Sequence, residues 1–393
     1  MFDIMKHLVN LVDPANKPTL YLSDASRDKL ARPVFAAARM SSFADIVFAG
    51  TRDGIRALAL DAPDCAKHAR EAGLSPSDFV DAVLSRVRII DPAAAENADI
   101  VALYGKYAHQ ILGPKSGQSV EYYQDWARNP IAFSILASAR NEMYEADGDC
   151  VLGGLTTTSR DFFVPCIRLH PRSRTVFTAA AFFFPDSPNP QCFLSDMAII
   201  ADISVVVDMS PERLAGIAEG TAKMAVDLFV PCPLDRVNVA MLSYSTRGSG
   251  EGPSVQLVRD AHQIVCTHRD ADGDPRWKHI SVTPELQFAP SVLEKAAAQK
   301  LDLADPINSA AGRSNVLIAP SLDVGNALFH LHTAYFMGAS YILLPGGFKH
   351  HSAIDFSRSS RVDDIVMAAA AAACARIQKN RMVIPSLKEG GWQ

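Results

Sequence analysis

The sequence contains no apolar run long enough to cross a bilayer. Its most apolar later stretches, such as 198–207, carry aspartate and are too short. At the start, Asp3 and Asp13 interrupt any early apolar run, so no secretory signal is read there. Cysteine is sparse and unpaired: Cys65, Cys150, Cys166, Cys192, Cys232, Cys266 and Cys374 make an odd seven with no C-x-x-C. That pattern argues against a disulfide framework, and reduced, inert thiols in a cytoplasmic protein are expected. Positive charge is in deficit, with 38 Lys and Arg against 43 Asp and Glu, a net charge of -5. With a pI near 6.1, the chain is not expected to bind nucleic acid or a membrane surface. His330, His332, His350 and His351 come without H-E-x-x-H or cysteine partners, so no metal is expected. Internal repeats and low-complexity linkers are lacking too.

What is present is ample core material. The chain has 393 residues, 48% hydrophobic and 21% charged, enough for one large or two medium domains. Thr19–Leu22 and Asp45–Phe48 read as strands, with a helical segment over Asp28–Met40 whose regular part starts near Pro33. This β-α-β unit seeds a parallel sheet. Helices are expected over Ser75–Val87, with Ser75 or Ser77 as N-cap, over Asp125–Glu145, and over Met209–Val226, opened by Ser210 and Pro211. Between the last two, Arg174–Phe184, the turn PDSPNP and Gln191–Ile200 predict a long hairpin.

The richest stretch is Val237–Val255, VNVAMLSYSTRGSGEGPSV: a buried strand, a Ser/Gly-rich loop, then a helix starting near Ser254. Glycines 248, 250 and 252 allow close backbone approach, and a helix N-terminus favours an anion. The loop is neither G-x-x-x-x-G-K-[ST] nor G-x-G-x-x-G. A phosphate or coenzyme A site and a plain glycine turn are equally open on these residues alone.

The segment VAMLSYST-x-GS resembles the phosphate acetyltransferase/phosphate butyryltransferase family. SNVLIAPSLDVGNALFH at Ser314–His330 and IDFSRSSRVDDIVMAAAAAAC at Ile354–Cys374 resemble two further family segments, in family order. The resemblance implies an α/β fold of two three-layer αβα domains with mostly parallel sheets, like isocitrate and isopropylmalate dehydrogenases. The first domain would be discontinuous, 1–174 plus 345–393, with 175–344 as the second and the active-site cleft between them. It implies transfer of an acyl group between coenzyme A and inorganic phosphate by direct attack of the thiolate. Acyl-CoA, phosphate and acyl phosphate would be the ligands, with no permanently bound cofactor, in a cytoplasmic homodimer.

Residue by residue, the resemblance makes Asp364 the catalytic base, Ser357 a hydrogen-bond donor and Arg358 the electrostatic stabiliser. A free Asp with pKa of about 3.9 is a poor base for a thiol near 8.5. Burial and the charge of Asp363 would have to raise it. Without the resemblance, Asp363 and Asp364 read as first-turn acids favouring a helix dipole. Tyr244, Ser245, Thr246, Ser249 and Gly250 would line the ligand, although turn formation explains Thr246 and Ser249 equally well. Gly325 would permit a tight strand-to-helix turn, and Asn326 would either cap the next helix or face the ligand.

Departures from the family pattern are concentrated on the phosphate side. Its T-[LI]-R-P segment becomes GGLTTTSRDFFVP, with Val164 at the arginine position and Thr158, Arg160 and Arg168 nearby. A second family arginine falls at Gly105, beside Lys106. D-G-x-L-Q becomes Thr283–Gln287 and loses its first acid. Phe162, Phe163 and Val164 suggest a larger acyl pocket. Residues 200–208 read as an insertion. These changes leave two alternatives open: a non-catalytic acyl-CoA-binding regulatory relative, and an acyltransferase with another acceptor. A nicotinamide dehydrogenase of similar architecture lacks its metal-acid cluster here.

Overall fold

The chain begins its main sheet with short apolar segments that bury both faces. In the computed structural model, which describes residues 4–12, 17–140, 150–170, 172–184, 192–193, 196–231, 233–335, 340–348 and 352–383, β1 spans Thr19–Leu22, β2 Asp45–Ala49, β3 Arg88–Ile90 and β4 Cys150–Gly153. Every residue of β1 and β4 is buried, as expected of central parallel strands. After β4 the chain builds a second sheet: β5 Arg172–Phe183, β6 Met197–Ala201, β7 Val237–Leu242, β8 Ile280–Leu286, β9 Val316–Ile318 and β10 Ser340–Phe348. It then returns to the first sheet with β11, Ser352–Asp355.

Two compact units result, one built around 172–347 and the other from the segments before and after it. The discontinuous unit holds a five-stranded sheet of order β11-β4-β1-β2-β3. All four of its pairings are parallel. Helices Arg32–Met40, Pro130–Arg140 and Val362–Val383 lie against it. The continuous unit holds a six-stranded sheet of order β10-β5-β6-β9-β7-β8. Its β6, β9, β7 and β8 run parallel, while β5 and β6 form the expected antiparallel pair. The class is α/β with mostly parallel sheets, as the sequence led us to expect.

Caps set the helix boundaries. Ser75 Oγ accepts from Asp78 N–H at 3.2 Å, and Ser210 Oγ from Arg213 N–H at 3.3 Å, each opening a helix with proline in its first turn. The single helix expected over Asp125–Glu145 is instead two, Val120–Trp126 and Pro130–Arg140, and 141–145 lie outside the described residues. The cause is Asn129-Pro130: proline disfavours helical backbone before it. Asn129 Oδ1 then accepts from Ile131 N–H at 3.0 Å to start the next helix. The second arm of the hairpin starts at Met197 rather than Gln191. Phe193 and Asp196 adopt left-handed φ of 56° and 51°, which no strand accommodates. The PDSPNP turn lies outside the described residues.

The described cysteines are all free, and Cys232 lies outside the described residues. Burial pushes the thiol of Cys374, in the helix Val362–Val383, up to about 12, and its Sγ donates to Leu8 O at 2.8 Å.

Gly105 lies buried in the helix Ala98–Ser116. A Cβ there would stand 2.5 Å from Gln124 Cα in the neighbouring helix. The position is therefore closed to every side chain, and the family arginine cannot occupy it. Gly105→Ala gains helix propensity yet overpacks this contact. It should lower stability by about 1–3 kcal/mol in urea unfolding. An unchanged or raised midpoint would contradict the packing described.

Candidate active site

In parallel α/β sheets the loops after the carboxyl ends of the strands share one edge, where ligands bind. In the discontinuous unit three such loops carry polar residues: Ser23-Asp24 after β1, Gly154–Ser159 after β4, and Phe356–Ser360 after β11. Asp24 is 1% exposed. Its Oδ1 accepts from Thr156 N–H at 2.9 Å and Thr156 Oγ1 at 2.5 Å, and its Oδ2 from Ser23 Oγ at 3.0 Å. It thereby ties the β1 loop to the β4 loop.

Arg32 ties the β1 side to the β11 loop. The residue is 8% exposed. Its Nε and Nη2 donate to the two Asp28 carboxylate oxygens at 2.9 and 3.1 Å. Its Nη1 donates to Arg358 O at 2.7 Å and Ser360 O at 2.8 Å. Two edges of the guanidinium are thus used at once, one on Asp28 and one on the backbone that carries Ser357 and Arg358. Both of those side chains are exposed. Ser357 Oγ lies 2.8 Å from Ser359 Oγ and accepts from Ser359 N–H at 3.3 Å, closing a tight turn.

Asp364 follows in the first turn of Val362–Val383. Its Oδ2 accepts from Arg361 N–H at 2.7 Å, the reciprocal half of a capping box. Its Oδ1 lies 3.6 Å from Arg361 Nη2, with the side chain 11% exposed. The first-turn role read from helix electrostatics is therefore present. Asp363, whose charge was expected to act on Asp364, instead pairs with Arg39 at 2.5 Å. Arg39's hydrogen bond holds the Asp363 carboxyl below the ordinary range.

Asp355, the last residue of β11, stands two positions before Ser357. Gly154, with φ of 90°, makes room for it: a Cβ on Gly154 would lie 2.2 Å from Asp355 Oδ1. Burial pushes the carboxyl up to about 6, helped by the charge of Asp24 and opposed by a hydrogen bond from Ser159. Its signal in the sequence is positional: an acid ending an otherwise apolar strand, directly before the Ser-Arg turn.

On the phosphate-side segment, Thr158 Oγ1 accepts from Asp161 N–H at 3.3 Å and donates to Asp161 Oδ2 at 2.8 Å. Arg160 and Arg168 are exposed. Of the three apolar residues expected at an acyl pocket, Phe162 and Phe163 are buried and Val164 is exposed. Phe162 packs over Gly153, where a Cβ would lie 2.4 Å from its ring.

The glycine-rich loop of the continuous unit is organised around a residue the sequence reading passed over. Glu285 is 2% exposed and has a left-handed φ of 54°. Its Oε1 accepts from Ser245 Oγ at 2.7 Å, Gly248 N–H at 2.6 Å and Arg259 Nη2 at 2.9 Å, and its Oε2 from Arg259 Nε at 2.7 Å. Burial works to raise its pKa, but the Arg259, Ser245 and Gly248 donors outweigh it and hold it at about 2. Ser245 is thus buried and spent on holding the loop, also accepting from Gly250 N–H at 2.8 Å. Thr246 N–H donates to Ser249 Oγ at 2.8 Å, the turn contact foreseen for both. Tyr244 is 58% exposed and its hydroxyl donates to Glu251 O.

Gly325 and Asn326 are not a strand-to-helix turn. They lie inside the helix Leu322–Tyr335. Asn326 Nδ2 donates to Ile203 O at 3.2 Å rather than capping that helix. Gly325 is required because a Cβ would fall 1.9 Å from Asp202 O, backbone of the segment read as an insertion. That segment is itself pinned by the Asp202 carboxylate, which accepts from the N–H groups of Thr178, Ser204, Val205 and Val206.

A sequence model described as phosphate acetyl/butaryl transferase matches residues 81–373. The chain belongs to that family. Among its relatives, a phosphate acetyltransferase from Clostridium acetobutylicum is 26% identical over 283 residues, 72% of this chain and 77% of the relative. One from Thermoanaerobacterium thermosaccharolyticum is 28% identical over 310 residues, 78% and 83% of the two chains. In fold, the chain is similar to a crystal structure of a phosphotransacetylase from Streptococcus pyogenes, with TM-score 0.71, 21% identity, and 96% and 100% of the chains covered.

For this member of the phosphate acetyl/butaryl transferase family, no group of three or more metal-ligating side chains occurs among the described residues. His332 is buried, its Nδ1 2.7 Å from Leu328 O, and burial lowers its pKa; His350 and His351 lie outside the described residues. Glu285→Gln leaves Arg259 and a buried amide facing each other and should cost about 3 kcal/mol of stability at pH 7. The contribution of Glu285 is complete above its unfolded value of 4.5 and is lost as pH falls through about 2. The difference between variant and wild type should therefore shrink from pH 7 to pH 3 in denaturant titrations. A constant difference would show that the carboxylate charge is irrelevant.

Proposed function

We propose that this protein is a phosphate acyltransferase whose chemistry runs on the β11 loop and the helix that follows it. It moves an acyl group reversibly between coenzyme A and inorganic phosphate, with coenzyme A as substrate and no resident cofactor. One observation carries the assignment of residues. Within the family-matched region, Ser357, Arg358 and Asp364 occupy one loop and helix start at the carboxyl end of a parallel sheet. Asp364 takes the thiol proton, Ser357 donates to the reacting group, and Arg358 stabilises charge on the carbonyl or phosphate oxygen. Tyr244, Thr246, Ser249 and Gly250 serve ligand binding from the glycine-rich loop, whose backbone is held by Ser245 and Glu285. Thr158 and Arg160 serve phosphate. No helix among the described residues is long and apolar enough to cross a membrane, and a cytoplasmic homodimer is the form we propose.

A second reading keeps the acyl-CoA and changes the acceptor. It is favoured by the closed packing at Gly105 and by Val164 at the other family arginine position. Loss of a cation facing a phosphate dianion costs about 2–4 kcal/mol of transition-state stabilisation. Thiol release from acetyl- to hexanoyl-CoA, with and without phosphate, separates the two readings. Phosphate-dependent release is expected, with kcat lowered about 100-fold or more by Asp364→Asn and about 30- to 1000-fold by Arg358→Met. Release indifferent to phosphate would transfer the assignment to the second reading. No release from folded protein would overturn both.

A further inference from the structure

The mechanism above provides a proton acceptor for the thiol and leaves the other end of the reaction unserved. When acyl phosphate reacts with the thiol, an S–C bond forms and the C–O bond to phosphate breaks. The departing phosphate then takes up a proton. We propose that Asp355 is a catalytic residue on the phosphate side, a general acid that donates a proton to the departing phosphate oxygen and recovers it in the reverse reaction.

The placement supports this role. Asp355 ends β11 two residues before Ser357. It is half-buried, so one side remains open to a ligand. Its Oδ1 sits against Gly154 at the head of the loop that carries Thr158 and Arg160, and Ser159 of that loop hydrogen-bonds to it. Asp24, anchored by Thr156 and Ser23, faces it from the β1 side. Cys166, fully buried in the helix Phe163–Leu169, lies within reach of its charge, its thiol pushed well up by burial and by Asp355 itself. In the same β4 and β11 loops, the hydroxyls of Thr157 and Ser360 are buried and find no hydrogen-bond partner among the described residues. Such orphaned groups are available to a water, an ion or a polar ligand.

The chemistry fits as well. A carboxyl raised to about 6 carries its proton through a useful fraction of turnovers near neutrality, where an ordinary carboxyl does not. The balance closes. Asp364 gains the thiol proton, Asp355 loses one to phosphate, and exchange with water resets both.

The role rests on the proposed reaction, and the test separates the two. Wild type, Asp355→Asn and Asp355→Glu are assayed in both directions from pH 5 to 9, and their thermal unfolding is followed at pH 5 and 8. In the acyl-CoA-forming direction, the wild-type rate should fall on the alkaline side of an apparent pKa near that of Asp355. Asp355→Asn should lower kcat about 100-fold and flatten that limb, and Asp355→Glu should restore part of both. The unfolding measurement moves the opposite way from a merely structural role. A folded pKa above the unfolded 3.8 contributes stability that is complete below that value and lost as pH rises through about 6. Asp355→Asn should therefore raise the wild-type Tm at pH 8, by more than at pH 5. An active wild type with an indifferent Asn variant, or with its alkaline limb intact in that variant, would overturn the role alone. A wild type that releases no thiol would overturn the reaction and the role with it. A variant destabilised equally at both pH values would make Asp355 structural.

Discussion

The Arg32 guanidinium is the contact on which the conformation of the β11 loop depends. It begins a helix near the start of the chain, is neutralised by Asp28 four residues earlier, and donates through Nη1 to carbonyls 326 and 328 positions away. A lysine could pair with Asp28 but could not reach both carbonyls while doing so. Parallel β11–β4 pairing brings the two segments to the same edge. Arg32 then fixes the conformation of the loop that leaves that edge. Because the guanidinium is buried and each carbonyl it meets is main chain, the link constrains backbone without consuming a functional side chain.

Acidic residues in this protein have contrasting fates set by their donors. Glu285 is surrounded by an arginine fork, a hydroxyl and a backbone N–H, and it is held ionised as a structural anchor for the glycine-rich loop. Asp355 has one hydroxyl and a neighbouring carboxylate, so burial prevails and its proton stays within reach of neutral pH. Glu285 is buried and Asp355 half-buried. The number of hydrogen bonds offered to the charged form decides which of the two shifts prevails.

The architecture was legible because its signals are local. Ser75, Ser210 and the prolines beside them mark helix starts whatever the tertiary context. Buried parallel strands are apolar runs that need no partner to be noticed. The break at Asn129-Pro130 was also written in the sequence, but an apolar periodicity continuing across it masked the proline. Gly325 was recognised as a glycine that matters and given the wrong reason. The clash that requires it comes from Asp202, more than a hundred residues away, which no local pattern encodes. Glu285, Arg32 and Asp355 were passed over for the same cause: each acquires its importance from partners distant in sequence. Ser357, Arg358 and Asp364 were found through family wording rather than through their own chemistry. Read alone, they are a polar turn and a first-turn acid.

The late return of β11 to a sheet begun by β1 has a consequence for how the protein is made. During synthesis, the strands from β1 to β4 emerge first, yet their sheet lacks an edge until the whole intervening unit has been translated. The carboxyl-terminal helix that covers it comes later still. The loop bearing Ser357 and Arg358 therefore cannot take its folded conformation before β11 has been made. Closing so wide a contact is entropically slow, and the unfinished edge of the β4 strand is a pairing surface open to other chains meanwhile. The continuous unit, whose strands are all consecutive, has no such wait. Its strands are all made before β11, so its sheet can close before that of its neighbour.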